Sequence, residues 1–392
     1  MTSSGERIRD VLRSAPLIDG HDDLLWELRT IRERGQEPPD VSEECPSLQT
    51  DLPRLARGCV GGQFWSVYVP SDLEGHEGVT RTLEQIDALH DLVAGHPDRL
   101  ALARTATEVE AIAASGRIAS MIGVEGGHAI GSSLGALRAL ARLGAGYLTL
   151  THNDDTPWAD SATGLRPHGG LTRFGEEVVR EPNRCGVLVD LSHVSDDVMR
   201  QTLALSEAPP IFSHSSARAI ADVTRNVPDD VLELAARAGS VVMVAFVPSF
   251  LTDEGAAANR EAWAEATRVR AEHPGDPQVV HAFMDAWFDA HPDPPATIGD
   301  VADHVDHLRA IAGIDHIGIG SDFDGAGTMP EGLEDVSRYP ALFEELAARG
   351  YGDEDLAKIA GRNVLRVMRE AERIAERLQR ERPPSTMRFK DA

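Results

Sequence analysis

Gly186-Val-Leu-Val-Asp-Leu-Ser-His193, followed by Pro210-Ile-Phe-Ser-His214, carries the reading that decides the fold. Each is a short, β-rich run that is apolar at nearly every position and then stops at a histidine. A strand that is apolar on successive residues is covered on both faces, which is the condition of a parallel sheet wrapped by helices. In such sheets the carboxyl ends of the strands converge on one mouth, so residues far apart in sequence can share one site. Both histidines are placed to look into that mouth.

Runs of the same kind recur at 16–20, 62–69, 117–124, 146–151, 240–247 and 316–320; with 186–191 and 210–213 they make eight. Segments with helical spacing lie between them. Ser132 or Ser133 precedes Leu134, Leu137, Leu140 and Leu143 before glycines at 144 and 146. Pro228 opens a helix with Val231, Leu232 and Ala235 that stops at Gly239, and Thr297 with Asp300 forms a capping box ahead of Val301, Val305, Leu308 and Ile311. Eight strand–helix units predict an α/β fold, a (β/α)8 TIM-type barrel with insertions and terminal helices. The 392 residues exceed the roughly 250 of a bare barrel. The surplus falls at 23–60 and at 248–296, the second expected to form helices over the mouth. One domain over 1–392 is expected, with its core at about 16–370 and a polar tail at 380–392.

Composition narrows the function. With 42% hydrophobic residues there is ample core, and the longest strongly apolar run, 241–247, is too short to span a bilayer. The first sixteen residues lack an apolar signal core, and the three cysteines (Cys45, Cys59, Cys185) are sparse and odd in number, so a cytoplasmic protein with unpaired thiols is expected. A formal net charge of −26 repels phosphate backbones and anionic membranes, which sets nucleic-acid and membrane partners aside and favours a small-molecule substrate.

The candidate ligands follow the strands. His21 and Asp23 stand at alternate positions after the first run and so leave one face. Glu125 follows the third run; a buried glutamate needs a cationic partner, and its two oxygens can serve two ions. His193 and His214 end the two runs quoted above; either alone would read equally well as a satisfied core histidine. Together, five nitrogen and oxygen ligands from four strand ends suit two divalent cations, with zinc the expected metal. His152 ends the fourth run and Asp322 follows the eighth. Gly-Ser-Asp-Phe-Asp-Gly at 320–325 is neither a phosphate loop nor a calcium loop, since the lysine of the one and the glutamate of the other are missing. The remaining histidines, including His128, His168, His304, His307 and His316, are expected in loops or on polar helix faces.

The chain resembles the membrane dipeptidase (renal dipeptidase) family of binuclear zinc peptidases, within the amidohydrolase superfamily. The resemblance rests on Ile-Asp-Gly-His-Asp-Asp at 18–23, Gly-Gly-Gln-Phe-Trp-Ser-Val-Tyr at 61–68, Gly-Val-Glu-Gly-Gly-His at 123–128, Tyr-Leu-Thr-Leu-Thr-His at 147–152 and Thr-Pro-Trp-Ala-Asp-Ser at 156–161. It continues through Asp-Leu-Ser-His-Val-Ser at 190–195, Phe-Ser-His-Ser-Ser at 212–216, Arg-Asn-Val-Pro-Asp-Asp at 225–230, Ser-Asp-Phe-Asp-Gly at 321–325 and Glu-Gly-Leu-Glu-Asp-Val-Ser at 331–337. It implies that His21 and Asp23 bind one zinc, His193 and His214 the other, and that Glu125 bridges them. It further implies that His152 and Arg225 contact substrate and that Asp322 handles protons. The implied activity is hydrolysis of free dipeptides, L-D as well as L-L, by water activated between the ions, and family members are often homodimers. Two departures stand out: the signal peptide and lipid anchor of animal members have no counterpart, and Asn153-Asp154-Asp155 differs from the animal pattern. A related amidohydrolase acting on another carboxylate-bearing amide or lactam is the alternative, and a non-catalytic metal- or peptide-binding protein a third reading.

Overall fold

All eight expected strands form, and parallel pairing closes them into a ring. The computed structural model describes residues 4–73 and 75–391. In chain order its strands are β1 (Leu17–Asp22), β2 (Val60–Tyr68), β3 (Leu100–Leu102), β4 (Ile118–Glu125), β5 (Ala145–Thr149), β6 (Leu188–Asp190), β7 (Ile211–Phe212), β8 (Val241–Val244) and β9 (Ile317–Ile319). The order β2-β1-β9-β8-β7-β6-β5-β4 is closed by pairing of β4 with β2, in register from Gly62 with Ala119 to Tyr68 with Glu125. The result is a (β/α)8 TIM barrel. Closure leaves no free edge within the ring. β3 was not expected: it runs beside the first residues of β4, on the edge that β5 takes further along.

The helices start and stop where their caps require. The Ser133 side chain accepts the Ala136 N–H at the start of helix Leu134–Leu143, and Gly144 ends it in the left-handed region at φ 112°. The Thr297–Asp300 capping box is present at the start of Ile298–Ile311. Within that helix His304 departs from expectation. It is fully buried, with Nδ1 accepting the Ala217 N–H and Nε2 facing the Leu251 carbonyl at 3.1 Å. Its neighbours Asp303, Asp306 and His307 made the region look solvated, but at three residues from Val301 and four from Leu308 it shares their inward face.

Both insertions lie on the mouth side. In the first, Arg54 is a buried staple: it donates to Asp51, to the Cys45 and Leu48 carbonyls, and pairs with Asp335 at 3.2 Å. The same segment reaches the barrel rim, where Thr50 donates to Asp22 and the Gln49 N–H to Asp324. In the second, helices Asp253–Glu272 and Pro277–Ala290 pack on one another through Ala262, Ala266, Val269, Val280 and Met284. The cysteines are free thiols. The polar tail is pinned rather than loose, through Ser385 to Glu177 and Glu181 and through Phe389 against Phe174.

Candidate active site

Every proposed site residue but Arg225, which lies in the segment between β7 and helix Asp229–Arg237, is at the carboxyl end of its strand. His21 is within β1 and Asp23 just after it, Glu125 is the last residue of β4, and His152, His193, His214 and Asp322 follow β5, β6, β7 and β9. Two of them occupy left-handed backbone, His193 at φ 67° and Asp322 at φ 68°. That region disfavours residues with a Cβ, and it persists where surrounding structure holds it, commonly at functional sites.

The side chains converge on one oxygen. Glu125 Oε1 lies 3.1 Å from His193 Nε2, 3.5 Å from His21 Nε2, and 3.7 Å from both His214 Nε2 and His152 Nε2. Its other oxygen accepts from Ser66 Oγ at 3.1 Å. His21 Nε2 is also 3.3 Å from Asp23 Oδ2 and 4.0 Å from Asp322 Oδ1. Three overlapping ligand groups result: His21, Glu125 and His214; Glu125, His152 and His193; His21, Asp23 and Asp322.

The protonation pattern fits a cation. Burial, aided by Arg225 and by neighbouring imidazoles, holds His193 and His214 well below the usual histidine range, so both are neutral. Their Nε2 atoms nonetheless face one another at 2.9 Å. The His214 Nδ1 proton goes to Ser213 Oγ at 2.8 Å, which leaves its Nε2 as a lone pair. His21 Nδ1 lies 2.8 Å from the Tyr147 hydroxyl, which itself donates to the Gly20 carbonyl; burial works to lower this imidazole, but Tyr147, Glu125 and Asp23 together hold it well above the usual histidine range. Among the described residues His21 Nε2, Asp23 Oδ1 and His193 Nδ1 are buried without a hydrogen-bond partner. Such orphaned groups are costly unless a ligand satisfies them. Lone pairs and carboxylate oxygens sharing one space make a donor set suited to borderline divalent ions.

Behind the ligands stands a layer that the sequence reading did not single out. Asp190 accepts Ser213 Oγ–H and Thr149 Oγ1–H as well as the Ser192 and Ser213 N–H groups, so a carboxylate–serine–histidine chain orients His214. Asp19 accepts from Ser321 and from the Tyr339 hydroxyl. Tyr147 reaches His21 because Gly123 leaves room: a Cβ there would overlap the tyrosine ring. Tyr147 and Asp190 lie inside the motifs quoted above, which was the available signal. Partners of this kind typically set metal affinity by 10–100-fold. Tyr147→Phe is therefore expected to weaken metal binding by about that factor in competition with a chelator, with the fold unchanged. Unaltered affinity would confine Tyr147 to packing.

Three further groups surround the centre. Burial is the largest influence on Asp322 and, with Asp23 and Glu125 beside it, outweighs His21 and Arg225 to push the carboxyl up to about 7. Arg225 is nearly inaccessible and sits over the Phe250 ring at 5.3 Å; one Nη donates to the His214 carbonyl at 3.3 Å and the other has no partner among the described residues. Burial brings its guanidinium down to about 10, so it stays cationic at neutral pH. His152 is likewise held low by burial and lies between the tilted rings of Tyr68 and His193, with centroids at 4.6 and 4.3 Å.

The chain is 38% identical over 383 residues to Dipeptidase 3 of Rattus norvegicus, covering 95% of this chain and 70% of the rat protein. Its structure is similar to that of the probable dipeptidase PvdM from Pseudomonas aeruginosa, with a TM-score of 0.81, 25% identity, and 95% and 99% of the two chains covered. It is also similar to a metallo peptidase from Rhodobacter sphaeroides solved with a phosphinate mimic of the dipeptide L-Ala-D-Ala, with a TM-score of 0.74, 26% identity, and 91% and 99% covered. No helix of the described residues is long and apolar enough to cross a membrane. Residues 5–382 match the membrane dipeptidase family, peptidase family M19, and the chain, a hydrolase of peptide bonds, belongs to that family.

Proposed function

We propose that this chain is a zinc-dependent dipeptidase that hydrolyses free dipeptides, including those with a carboxyl-terminal D residue. The observation that carries the reading is the single oxygen of Glu125 set 3.1–3.7 Å from four histidine Nε2 atoms. His21 and Asp23 would hold one ion, His193 and His214 the other, with Glu125 shared. When bound, such ions supply a water of lowered pKa and polarise the scissile carbonyl.

The remaining work falls to the chain. Arg225 meets the substrate carboxylate through parallel N–H bonds, for which its unpartnered Nη is free. His152, a neutral imidazole, donates one N–H to the carbonyl oxygen as charge develops there. Asp322 accepts a proton from the attacking water and delivers it to the leaving amine. Tolerance of a D residue is supported by the Rhodobacter sphaeroides relative and its L-Ala-D-Ala mimic.

The test compares L-Ala-D-Ala, L-Ala-L-Ala, L-Ala-D-Ala-amide and a tripeptide, with and without chelator and with zinc restored. Hydrolysis of both dipeptides alone, lost on chelation and regained with zinc, is expected. Efficient cleavage of the amide overturns the carboxylate clamp, and inactivity on every L-D dipeptide overturns the stereochemical reading. In Arg225→Met, KM should rise by about 100-fold, the worth of a charged hydrogen-bonded pair at about 3 kcal/mol, and the preference for the free acid over its amide should vanish.

A further inference from the structure

At the mouth, three separate segments meet on one carboxylate. Asp154 follows β5, two residues beyond His152. Its Oδ2 accepts from Ser71 Oγ at 2.6 Å and faces His281 Nε2 at 2.8 Å, while Oδ1 lies 3.4 Å from Arg270 Nη2. Ser71 belongs to the loop after β2, whereas Arg270 and His281 sit on the two helices of the insertion after β8. Arg270 also reaches the Thr163 carbonyl, and His281 Nδ1 lies 3.7 Å from Asp72.

The electrostatics agree with the contacts. Burial works to raise the Asp154 carboxyl, but hydrogen bonds from His281 and Ser71 and the charges of His281 and Arg270 bring it down to about 2. The hydrogen bond to Asp154 raises His281 in turn, against burial. A tether at Asp154 holds more than one residue, because the following segment is a unit: Asp155 accepts the N–H groups of Ser161, Leu165 and Arg166, and Ser161 Oγ donates to the His152 carbonyl at 2.6 Å.

Ring order shows how far this clasp reaches. β2 stands four places from β7 in either direction around the eight-strand ring, so the loop carrying Ser71 is opposite the segment carrying Arg225, while Asp154 follows β5, two places from β7, and Arg270 and His281 come from the insertion after the adjoining β8. A substrate held by its carboxylate at Arg225, with its peptide bond at Glu125, would extend its amino end toward the Ser71 loop, which the clasp ties down through Asp154.

Resting on the dipeptidase reading above, we propose that Asp154, His281 and Arg270 form a clasp that closes the amino-terminal side of the site and excludes longer peptides. Arg225 measures the substrate from one end and the clasp stops it at the other. These are positioning residues: they set the size limit without touching the reacting atoms.

The test uses the metal-loaded enzyme with L-Ala-L-Ala and tri-L-alanine as probes. In His281→Leu the ratio of tripeptide to dipeptide kcat/KM should rise by about tenfold or more, the lower range of discrimination by fit, carried mainly by the tripeptide KM. His281→Gln keeps an N–H for Asp154 and should restore the parent ratio. Arg270→Met, which loosens the same carboxylate from the other helix, should shift the ratio in the direction of His281→Leu and serves if that variant does not fold. Hydrogen exchange over 153–163 should quicken wherever the ratio rises. An unchanged ratio in the folded variants, with parent dipeptidase activity intact, overturns the clasp alone. A parent enzyme that cleaves no dipeptide overturns the functional reading and the clasp with it.

Discussion

Glu125→Gln is expected to leave fewer than two ions bound per chain and to lower turnover by on the order of 100-fold or more. The substitution is nearly isosteric, so packing against Ser66 survives while the shared negative charge is removed. With four imidazoles ranged around Oε1, loss of that charge leaves Asp23 as the one anionic ligand assigned to the two proposed ions. Metal analysis after dialysis, beside a dipeptide assay, reads both effects. Two tightly held ions with normal turnover would remove Glu125 from the centre.

Asp322→Asn is expected to separate chemistry from binding. Asparagine tolerates the left-handed backbone at φ 68°, so the loop after β9 should keep its shape. It cannot take up a proton, and kcat should fall by on the order of 100-fold or more while both ions stay bound and KM changes little. Asp322 also falls in a ligand group with His21 and Asp23, which gives the measurement its alternative. If the ions are lost along with turnover, Asp322 is a ligand and the proton carrier lies elsewhere.

What the sequence made legible was whatever repeats locally. Strands buried on both faces appear as continuous apolar runs, and all eight of the ring were found with ends shifted by a few residues; capped helices such as Ile298–Ile311 were found from their first turn. β3 escaped because three residues carry no period. The candidate ligands were legible because each follows such a run, and His21, Asp23, Glu125, His193 and His214 do come together. The supporting layer was not. Tyr147 meets His21 across 126 positions and His281 meets Asp154 across 127, and neither pairing leaves a local pattern. His304 misled for another reason: its immediate neighbours are polar, while its helical spacing from Val301 and Leu308 carries it inside.

The closure of the ring also orders events during synthesis. β1 lies between β2 and β9, and Asp19 is satisfied by Ser321, 302 positions later. Contacts of such separation form late, because the loop between them must be closed first. While the chain emerges from the ribosome, β1 can pair with β2 on one side only, and its other edge stays open for as long as it takes to make β9. His21 and Asp23 are thus among the first site residues translated and among the last to acquire their surroundings. The last of the proposed ligands, His214, is made well before β9, so a translated ligand set waits on ring closure, and the nascent barrel's exposure to mispairing is set by the time taken to translate the stretch from β2 to β9.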